Sequence, residues 1–352
     1  MREYTLNNQK YSEDELIAFC KEQLPKALDW EKSHLEVIID FLSDKQYIET
    51  PTSGSTGEPK VIQLSKEQVE SSAKLTASYF KIRNDSKVLH CLPSKFIAGK
   101  MMIIRALVNG WNLRWVEPSA NPLKSIDEVF DFAAFTPMQA AAILNENPDE
   151  FKAIKTVIIG GGSVSKDLEE KISACTNAVH LTYGMTETIT HIAERRLTGR
   201  HPVNFFQALP GVRFSTDERD CLIIEAVHLG NAVFHTNDVV QLNSPMTFRY
   251  MGRIDNVINS GGIKIFPEKI ERKIAHLIER NFFITKDDDE TLGEKMVMYI
   301  EGAPYSESEL LQLSSAMKIF LHSYEVPKEF RFVPQFEYTE TNKVKRKHYA
   351  NA

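Results

Sequence analysis

A segment of glycine and hydroxyl residues at positions 52–60 carries the strongest chemical signal in the sequence. It reads Thr-Ser-Gly-Ser-Thr-Gly-Glu-Pro-Lys. Glycine allows the backbone to turn its N–H groups toward an anion, hydroxyls add hydrogen-bond donors, and Lys60 supplies a positive charge. The Walker A spacing G-x-x-x-x-G-K-[ST] is absent, and a Gly/Ser-rich stretch on its own is usually a flexible loop. This ordered string ending in Pro-Lys is more specific, and it indicates that the segment binds phosphate.

A second string, Tyr-Gly-Met-Thr-Glu at positions 183–187, directly follows an apolar run that we predict to be a strand. The carboxyl end of a parallel strand is where α/β sheets place ligands. A threonine hydroxyl there can bind phosphate, and a glutamate can hold Mg²⁺ through oxygen. On its own, such a string is more often a strand-to-helix turn with an N-capping threonine.

Three further strings with charged residues lie downstream. His-Thr-Asn-Asp at 235–238 ends a β segment with an aspartate suited to a ribose diol, although a surface turn is commoner for it. Residues 252–262 read Gly-Arg-Ile-Asp-Asn-Val-Ile-Asn-Ser-Gly-Gly and precede Pro-Glu-Lys-Ile-Glu at 267–271. Thr-Asn-Lys-Val-Lys-Arg at 341–346 lies near the C-terminus, where a solvated basic tail is the simpler interpretation.

The elements that must position these strings follow an α/β pattern. Short apolar segments alternate with helical patterns, which predicts a sheet with helices on its faces. These segments are 88–92, 113–116, 132–135, 157–159 and 179–182. Closely spaced strands with polar turns at 212–242 predict antiparallel structure. We predict a large N-terminal α/β domain at 1–252 and a small α+β domain at 253–352.

Composition excludes several other classes of protein. The formal net charge of −6 gives no indication of a nucleic-acid or membrane partner. The four cysteines are far apart and form no C-x-x-C pair, which argues against zinc and disulfides and favours a reducing compartment. The polar N-terminus lacks the apolar run of a signal peptide, and no apolar run approaches the roughly 18 residues of a membrane helix. We therefore expect a cytoplasmic protein.

The five strings, in this order, resemble the adenylate-forming enzymes, a superfamily that includes acyl- and aryl-CoA synthetases, peptide-synthetase adenylation domains and luciferases. The resemblance covers residues 50–347. It implies a large N-terminal domain and a small C-terminal lid that rotates about a hinge. It also implies that the protein uses ATP and Mg²⁺ to activate a carboxylic acid as an acyl-adenylate, and then transfers the acyl group to a thiol such as that of coenzyme A.

The resemblance assigns a role to residues of each string. Those of the first string, which would wrap the β- and γ-phosphates of ATP, are Thr52, Ser53, Gly54, Ser55, Thr56, Gly57 and Lys60. The second string, which includes Gly184, would also bind the nucleotide. Tyr183 would stack near adenine, Thr186 would touch the α-phosphate, and Glu187 would help to hold Mg²⁺.

The remaining roles are implied in the same way. Gly161 and Gly162 match backbone that lines the acyl and adenine sites. Asp238 and Arg253 would bind the ribose. The hinge would be Asp255, and the catalytic lysine of the first step would be Lys343, which leaves the site when the lid rotates.

Three departures from the family pattern bear on these roles. Asn342 precedes the lysine where the family usually has glycine, and asparagine tolerates positive φ nearly as well. Asn237 also stands where glycine is common. About 50 residues precede the phosphate segment, fewer than in most relatives, so part of the usual N-terminal subdomain is expected to be missing.

Lesser cues point to the substrate. Residues 92–99 match a family segment with Phe96 in the aromatic position beside the adenylate. Residues 136–139 and 160–162 look most like those of o-succinylbenzoate–CoA ligases of menaquinone synthesis. A dicarboxylate needs a cation for its second carboxylate. The candidates, each more commonly an ordinary surface or helix-face residue, are Lys100, Arg105 and Arg195.

Other functions stay open from the sequence. The protein could be another aryl- or acyl-CoA ligase, or an adenylation enzyme that loads a free carrier protein. It could also be a non-catalytic relative that binds AMP or an acyl-adenylate, although Lys343, Glu187 and the phosphate segment are all present. A homo-oligomer is also left open.

Overall fold

The structure of the protein is a computed structural model that describes residues 2–51, 60–124, 126–199, 204–339 and 344–349. Residues 52–59 of the predicted phosphate segment and Lys343 lie outside the described residues, so their roles stay predictions. Across the described ranges no helix combines the length and the apolar character needed to span a membrane.

The chain divides into two compact units. The N-terminal unit consists of Met1–Gly162, Lys171–Phe214 and Ile224–Phe234. The C-terminal unit consists of Ser163–Glu170, Ser215–Ile223 and His235–Ala352. The domain boundary placed after Gly252 stays a prediction.

The described strands follow the chain from end to end. They are β1 (Tyr4–Leu6), β2 (Gln9–Tyr11), β3 (Tyr47–Pro51), β4 (Val61–Ser65), β5 (Lys87–His90), β6 (Asn112–Trp115), β7 (Phe130–Phe135), β8 (Ile154–Ile159), β9 (Ala178–Gly184), β10 (His191–Arg196), β11 (Phe206–Ala208), β12 (Val212–Thr216), β13 (Cys221–Ala226), β14 (Ala232–Ser244), β15 (Thr247–Arg253), β16 (Ile258–Ser260), β17 (Ile263–Ile265), β18 (Phe282–Asp289), β19 (Gly293–Glu301) and β20 (Glu329–Val333).

The described helices lie between these strands. They are α1 (Glu13–Gln23), α2 (Asp29–Phe41), α3 (Lys66–Tyr79), α4 (Ile97–Asn109), α5 (Pro137–Glu146), α6 (Pro148–Lys152), α7 (Lys166–Ser173), α8 (Pro267–Ile274) and α9 (Glu307–Phe320).

The N-terminal unit contains nine consecutive strands of a sheet that has 13 strands among the described residues, in the order β2-β1-β6-β5-β7-β8-β9-β10-β11. Every neighbouring pair from β1 to β9 along this order is parallel. The pairs β1–β2, β9–β10 and β10–β11 are antiparallel. The central strands are buried along most of their length, as expected of parallel strands covered on both faces. The predicted α/β class is confirmed.

Helix α4 is the most buried of the described helices of this unit. Its sequence, Ile-Ala-Gly-Lys-Met-Met-Ile-Ile-Arg-Ala-Leu-Val-Asn, is apolar almost all round, which is typical of a helix inside a core. It ends at Gly110, whose φ of 67° is the left-handed conformation that suits glycine and stops a helix. Its one arginine, Arg105, is therefore carried into the interior.

The C-terminal unit has a smaller sheet in the order β17-β16-β19-β18, with β20 parallel to β19. Strand alternation gives this sheet two apolar faces. Met296, Met298 and Ile300 pack into a cluster that includes residues of α8 and α9. On the other face, Val297 and Tyr299 pack with partly buried residues of the C-terminal segment, Val344 and Tyr349.

Candidate functional site

The predicted ligand-binding strings of the N-terminal unit lie together at one edge of its sheet. Residues 92–99 follow β5, residues 136–139 follow β7, residues 160–162 follow β8, and residues 183–187 complete β9 and begin the turn after it. These four strands are parallel neighbours, so their carboxyl ends meet at the same edge. This is where α/β sheets bind ligands.

The two glycine-containing strings are neighbours across the pair β8–β9. Ile159 pairs with Leu181, and the Thr182 hydroxyl donates to the Ile159 carbonyl at 3.0 Å. A Cβ atom on Gly160 would lie 2.7 Å from the Thr182 hydroxyl oxygen. Gly161 has a φ of 81°, which favours glycine, and no atom lies within 4 Å of where its Cβ would be. The backbone beside Tyr183 is therefore open to a close approach by a ligand.

The turn after β9 leads into another strand, β10, so the strand-to-helix alternative does not apply. Thr188 holds this turn: its hydroxyl accepts from the Met185 N–H at 3.0 Å and lies 2.8 Å from the Thr190 carbonyl oxygen. Ile189 has a φ of 66° and is buried. A β-branched residue in the left-handed region is strained, by about 1–3 kcal/mol, and such strain collects at binding sites.

The predicted site residues of this turn differ in their exposure. Thr186 is only 7% exposed, and its hydroxyl has no hydrogen-bond partner among the described residues. Glu187 is exposed and forms no ion pair with any residue that the structure describes. The Tyr183 ring is half-buried, with its centroid 5.7 Å from that of Phe206. A hydroxyl, a free carboxylate and an aromatic face are thus presented within five positions.

Buried contacts hold the segment 92–99 in place. The imidazole of His90 is 2.9 Å from the Ser94 hydroxyl, and both residues are fully buried. A Cβ on Gly99 would lie 2.3 Å from the Pro93 carbonyl oxygen, so the first turn of α4 can approach Pro93 this closely only with glycine at this position. Phe96, half-buried, occupies the N-cap of α4, with the Lys95 ammonium 4.9 Å from its ring centroid.

Lys100 and Lys60 both lie beside the hairpin β3–β4. Pro51 pairs with Val61 across this hairpin, so the chain enters and leaves the predicted phosphate segment through adjacent strands. The Lys100 ammonium donates to the Glu49 carbonyl at 2.5 Å, and burial lowers its pKa. Lys60 is exposed immediately before β4. Of these two lysines, Lys100 is directed to the backbone of β3.

Arg105 is a buried cation that has no carboxylate partner among the described residues. It is 2% exposed. Its guanidinium donates to the Thr190 hydroxyl and lies 3.5 Å from His191 Nδ1 and 3.7 Å from Met102 Sδ, while Nε has no partner in the described chain. Burial lowers the pKa of Arg105 to about 9, which still leaves it charged at neutral pH. Arg195, the other arginine candidate, is buried on β10.

The neighbour of Arg105 is a buried, neutral histidine. Burial, and then the charge of Arg105, hold the pKa of His191 well below its usual value. A neutral imidazole cannot balance the guanidinium, so the positive charge beside Thr190 is uncompensated by this cluster. Thr188, Thr190 and His191 were not predicted as site residues, although they directly follow the Tyr-Gly-Met-Thr-Glu string and carry hydroxyl or imidazole groups.

In the C-terminal unit, the structure brings together three of the predicted residues. Asp238 on β14 pairs with Arg253 on β15 in the antiparallel register. Arg253 lies 3.5 Å from the Asp238 carboxylate and donates to Asp255 at 3.0 Å. Burial opposes the charge of Arg253, but these two carboxylates outweigh it and raise the arginine pKa. The Asp238 and Arg253 side chains are thus oriented together.

Comparison with known proteins agrees with this geometry. The family model described as AMP-binding enzyme matches residues 23–213. The chain belongs to the AMP-binding enzyme family. A crystal structure of an acyl-CoA synthetase (AMP-forming)/AMP-acid ligase II-like protein from Dyadobacter fermentans is 34% identical, covers 94% of this chain and 96% of that chain, and superposes with a TM-score of 0.62.

Two more distant relatives are named for a specific reaction. A 2-succinylbenzoate–CoA ligase from Staphylococcus aureus is 24% identical over 84% of this chain and 65% of its own length. A D-alanine–D-alanyl carrier protein ligase from Staphylococcus epidermidis is 25% identical over 96% of this chain and 78% of its own length. The chain therefore spans about two thirds of the length of its Staphylococcus aureus relative.

We expect Gly184→Ala to destabilise the turn that carries Thr186 and Glu187. Its Cβ would lie 2.3 Å from the Thr190 carbonyl oxygen and 2.7 Å from His191 Cα, so the backbone must shift. Overpacking of this kind costs about 1–3 kcal/mol of unfolding free energy, measurable by urea denaturation. Gly162→Ala is the control, because its Cβ would approach only the Pro137 ring at 3.4 Å. Equal losses in both variants would contradict the close-approach argument.

Proposed function

We propose that the protein is an AMP-forming acid–thiol ligase. In the first step a carboxylate oxygen attacks the α-phosphorus of ATP, the bond to the bridging oxygen breaks, and pyrophosphate leaves. In the second step a thiol sulfur attacks the acyl carbon, the thiol proton is lost, and AMP leaves. Family membership and the clustering of four motif segments at the carboxyl ends of β5, β7, β8 and β9 support this proposal.

The first step brings two anions together, so it requires cations and N–H donors placed in advance. The phosphate segment 52–60 and Lys343 supply these in our proposal. Thr186, whose hydroxyl has no partner in the described chain, donates to the α-phosphate. Tyr183, Gly161 and Gly162 border the adenine.

The ribose and the conformational step are assigned to the C-terminal unit. Asp238 accepts hydrogen bonds from the ribose hydroxyls, oriented by its ion pair with Arg253. Asp255, in the short turn Ile254–Asn256, is the proposed hinge. Rotation about it withdraws Lys343 after the first step and admits the thiol.

The donor chemistry of the turn after β9 fits Mg²⁺. Hard cations prefer carboxylate oxygen, and Glu187 offers an exposed carboxylate without an ion pair in the described residues. Mg²⁺ commonly binds through one or two protein carboxylates together with substrate phosphates and water, so one glutamate suits it. Mg²⁺ bound there would neutralise phosphate charge.

The substrate that we propose is o-succinylbenzoate, with coenzyme A as the acceptor, in menaquinone biosynthesis. The single observation that carries this choice is Arg105: a buried guanidinium without a carboxylate partner in the described chain. An unpaired buried charge costs several kcal/mol, and a second substrate carboxylate would remove that cost. The Staphylococcus aureus relative, named as a 2-succinylbenzoate–CoA ligase, agrees with this assignment.

A second candidate is loading of a carrier protein, favoured by similarity to a D-alanine–D-alanyl carrier protein ligase. The chemistry of adenylation is the same, and only the thiol differs. The cytoplasm is the proposed compartment: all four cysteines are buried and free, as suits a reducing environment.

We expect the purified protein with ATP and Mg²⁺ to release pyrophosphate and AMP when it is given o-succinylbenzoate. Thioester should form only when coenzyme A is added. Nucleotide chromatography and a coupled pyrophosphate assay measure both products across a panel of acids. Production of ADP would rule out the mechanism, and faster turnover of benzoate or a fatty acid would rule out the substrate. Transfer to a carrier protein but not to coenzyme A would favour the second candidate.

Arg105→Met should raise KM for o-succinylbenzoate by about 10²- to 10⁴-fold, because breaking a buried ion pair costs roughly 3–5 kcal/mol. KM for ATP should stay within about twofold, since the nucleotide does not contact this residue in our proposal. Initial-rate kinetics on both substrates provide the measurement.

An analogue that lacks the carboxylate that is not activated serves as the control for Arg105→Met. The wild type and the variant should turn it over equally. Equal losses of activity with both acids would show that Arg105 acts on the fold rather than on the carboxylate.

Lys343→Ala should slow adenylation by about 10²–10⁴-fold, because it removes a cation from developing negative charge. The variant should still convert supplied acyl-adenylate and coenzyme A into thioester. Lys345→Ala is the matched control, since Lys345 is an exposed lysine of the same segment. If both half-reactions fell together in Lys343→Ala, the lysine would not belong to the first step.

A further inference from the structure

The C-terminal segment 344–349 is fastened to the sheet of the C-terminal unit. Val344 forms an antiparallel bridge with Tyr338. The Lys345 N–H donates to the Glu337 carbonyl at 2.8 Å. The Tyr349 ring lies 5.8 Å from Phe336 and 6.4 Å from Phe283, centroid to centroid.

One arginine gives this segment its most directional contact. Arg346 donates through both terminal nitrogens to Glu271, at 2.7 and 2.5 Å, and also to the Ile284 carbonyl at 3.1 Å. Glu271 in turn accepts from the Ile284 N–H at 2.6 Å. The three residues form a closed network that joins α8, β18 and the C-terminal segment.

The chemistry of this network suits it to fixing the position of the C-terminal segment more than to stabilising the fold. A two-pronged arginine–carboxylate pair specifies distance and orientation together, which a lysine cannot do. A partly buried ion pair adds little net stability compared with apolar side chains of similar size. The face of the sheet on which the segment lies already has an apolar core, so packing alone would retain the segment without defining its register.

The chain on the other side of residues 340–343 is also held. The Tyr338 hydroxyl donates to Glu301 at 3.0 Å, and the Phe336 N–H donates to the same carboxylate at 2.7 Å. Lys343 lies three positions before Arg346 in the sequence. Three residues of chain span at most about 10 Å, so the backbone of the lysine lies within that distance of Arg346.

We propose that Arg346 is a positioning residue for Lys343: its fork on Glu271 and Ile284 fixes residues 344–349, the segment that directly follows the lysine in the sequence. This inference rests on the proposed role of Lys343 in adenylation. Stabilisation of developing charge depends steeply on geometry, and a displacement of about 1 Å can reduce a rate by about 10²-fold. Loss of the fork should therefore affect the half-reaction that uses Lys343 and spare the other.

The test is Arg346→Lys, which keeps the charge and removes the fork. We expect kcat for adenylation to fall by about 10- to 100-fold with KM for ATP and for the acid nearly unchanged. Thioester formation from supplied acyl-adenylate should stay within about twofold of the wild type. Glu271→Gln is the second variant and should show the same selective loss. The double variant should lose no more than either single variant, because the two residues act as one unit.

Arg331→Lys is the matched control. Arg331 is an arginine of the same unit with a similarly exposed side chain, 21% against 25% for Arg346, and it pairs with Asp287 and Glu329. Its hydrogen bonds and ion pairs join strands β18, β19 and β20, and none of them reaches the C-terminal segment among the described residues. Arg331→Lys should lower Tm about as much as Arg346→Lys does. The ratio of the rates of the two half-reactions should stay unchanged in Arg331→Lys.

Four outcomes would overturn the inference. Equal loss of both half-reactions in Arg346→Lys, or the same selective loss in Arg331→Lys, would reduce Arg346 to a structural role. If Arg346→Lys left adenylation unchanged while Lys343→Ala still lost adenylation selectively, the positioning role would be overturned and the proposed function would stand. Absence of selective loss in Lys343→Ala itself would overturn the role of the lysine, and the inference with it.

Discussion

Parallel pairing of β5, β7, β8 and β9 is the constraint on which the candidate site of the N-terminal unit depends. Strands β5, β7 and β8 are buried along most of their length, and Val179 and Leu181 are buried on β9, so a slip of one residue would move every side chain of a strand to the other face of the sheet. The register that places Ile159 beside Leu181 also places Gly160 beside Thr182. The same interactions that stabilise the sheet therefore bring the motif segments to one edge.

At that edge the structure departs from what stability alone would favour. Ile189 adopts a left-handed conformation although it is β-branched, and Gly184 approaches the backbone of residues 190 and 191 too closely for any side chain. Strain of this kind persists only where the surroundings impose it, here through the antiparallel pair β9–β10 and the Thr188 hydroxyl. The result is a turn in which Thr186 and Glu187 keep free polar groups, in the part of the chain that the structure describes.

Much of this arrangement follows from local sequence, and some of it cannot. Apolar runs predict the parallel strands, and the strings after them predict which strand ends carry polar side chains. The contact between Arg105 and Thr190 joins residues 85 positions apart, and that between Arg346 and Glu271 joins residues 75 apart. Neither contact leaves a local pattern in the sequence. The first depends on how α4 packs on the sheet, and the second depends on how the C-terminal segment packs against α8. The turn after β9 also escaped prediction, since threonine there suits a helix cap equally well.

Three arginines show how the surroundings of one side chain can set its role. Arg346 has a carboxylate that matches both of its terminal nitrogens, so its hydrogen-bonding capacity is used within the fold and it defines position. Arg253 is shared between Asp238 and Asp255, so a ligand that engages one carboxylate changes the balance of the other pair. Arg105 has only a hydroxyl, a thioether and a neutral imidazole within the described chain, and its charge is left for something else to balance. Since burial makes an unbalanced charge costly, a bound anion beside Arg105 would lower that cost, and this is why we propose that Arg105 receives the second carboxylate of the substrate.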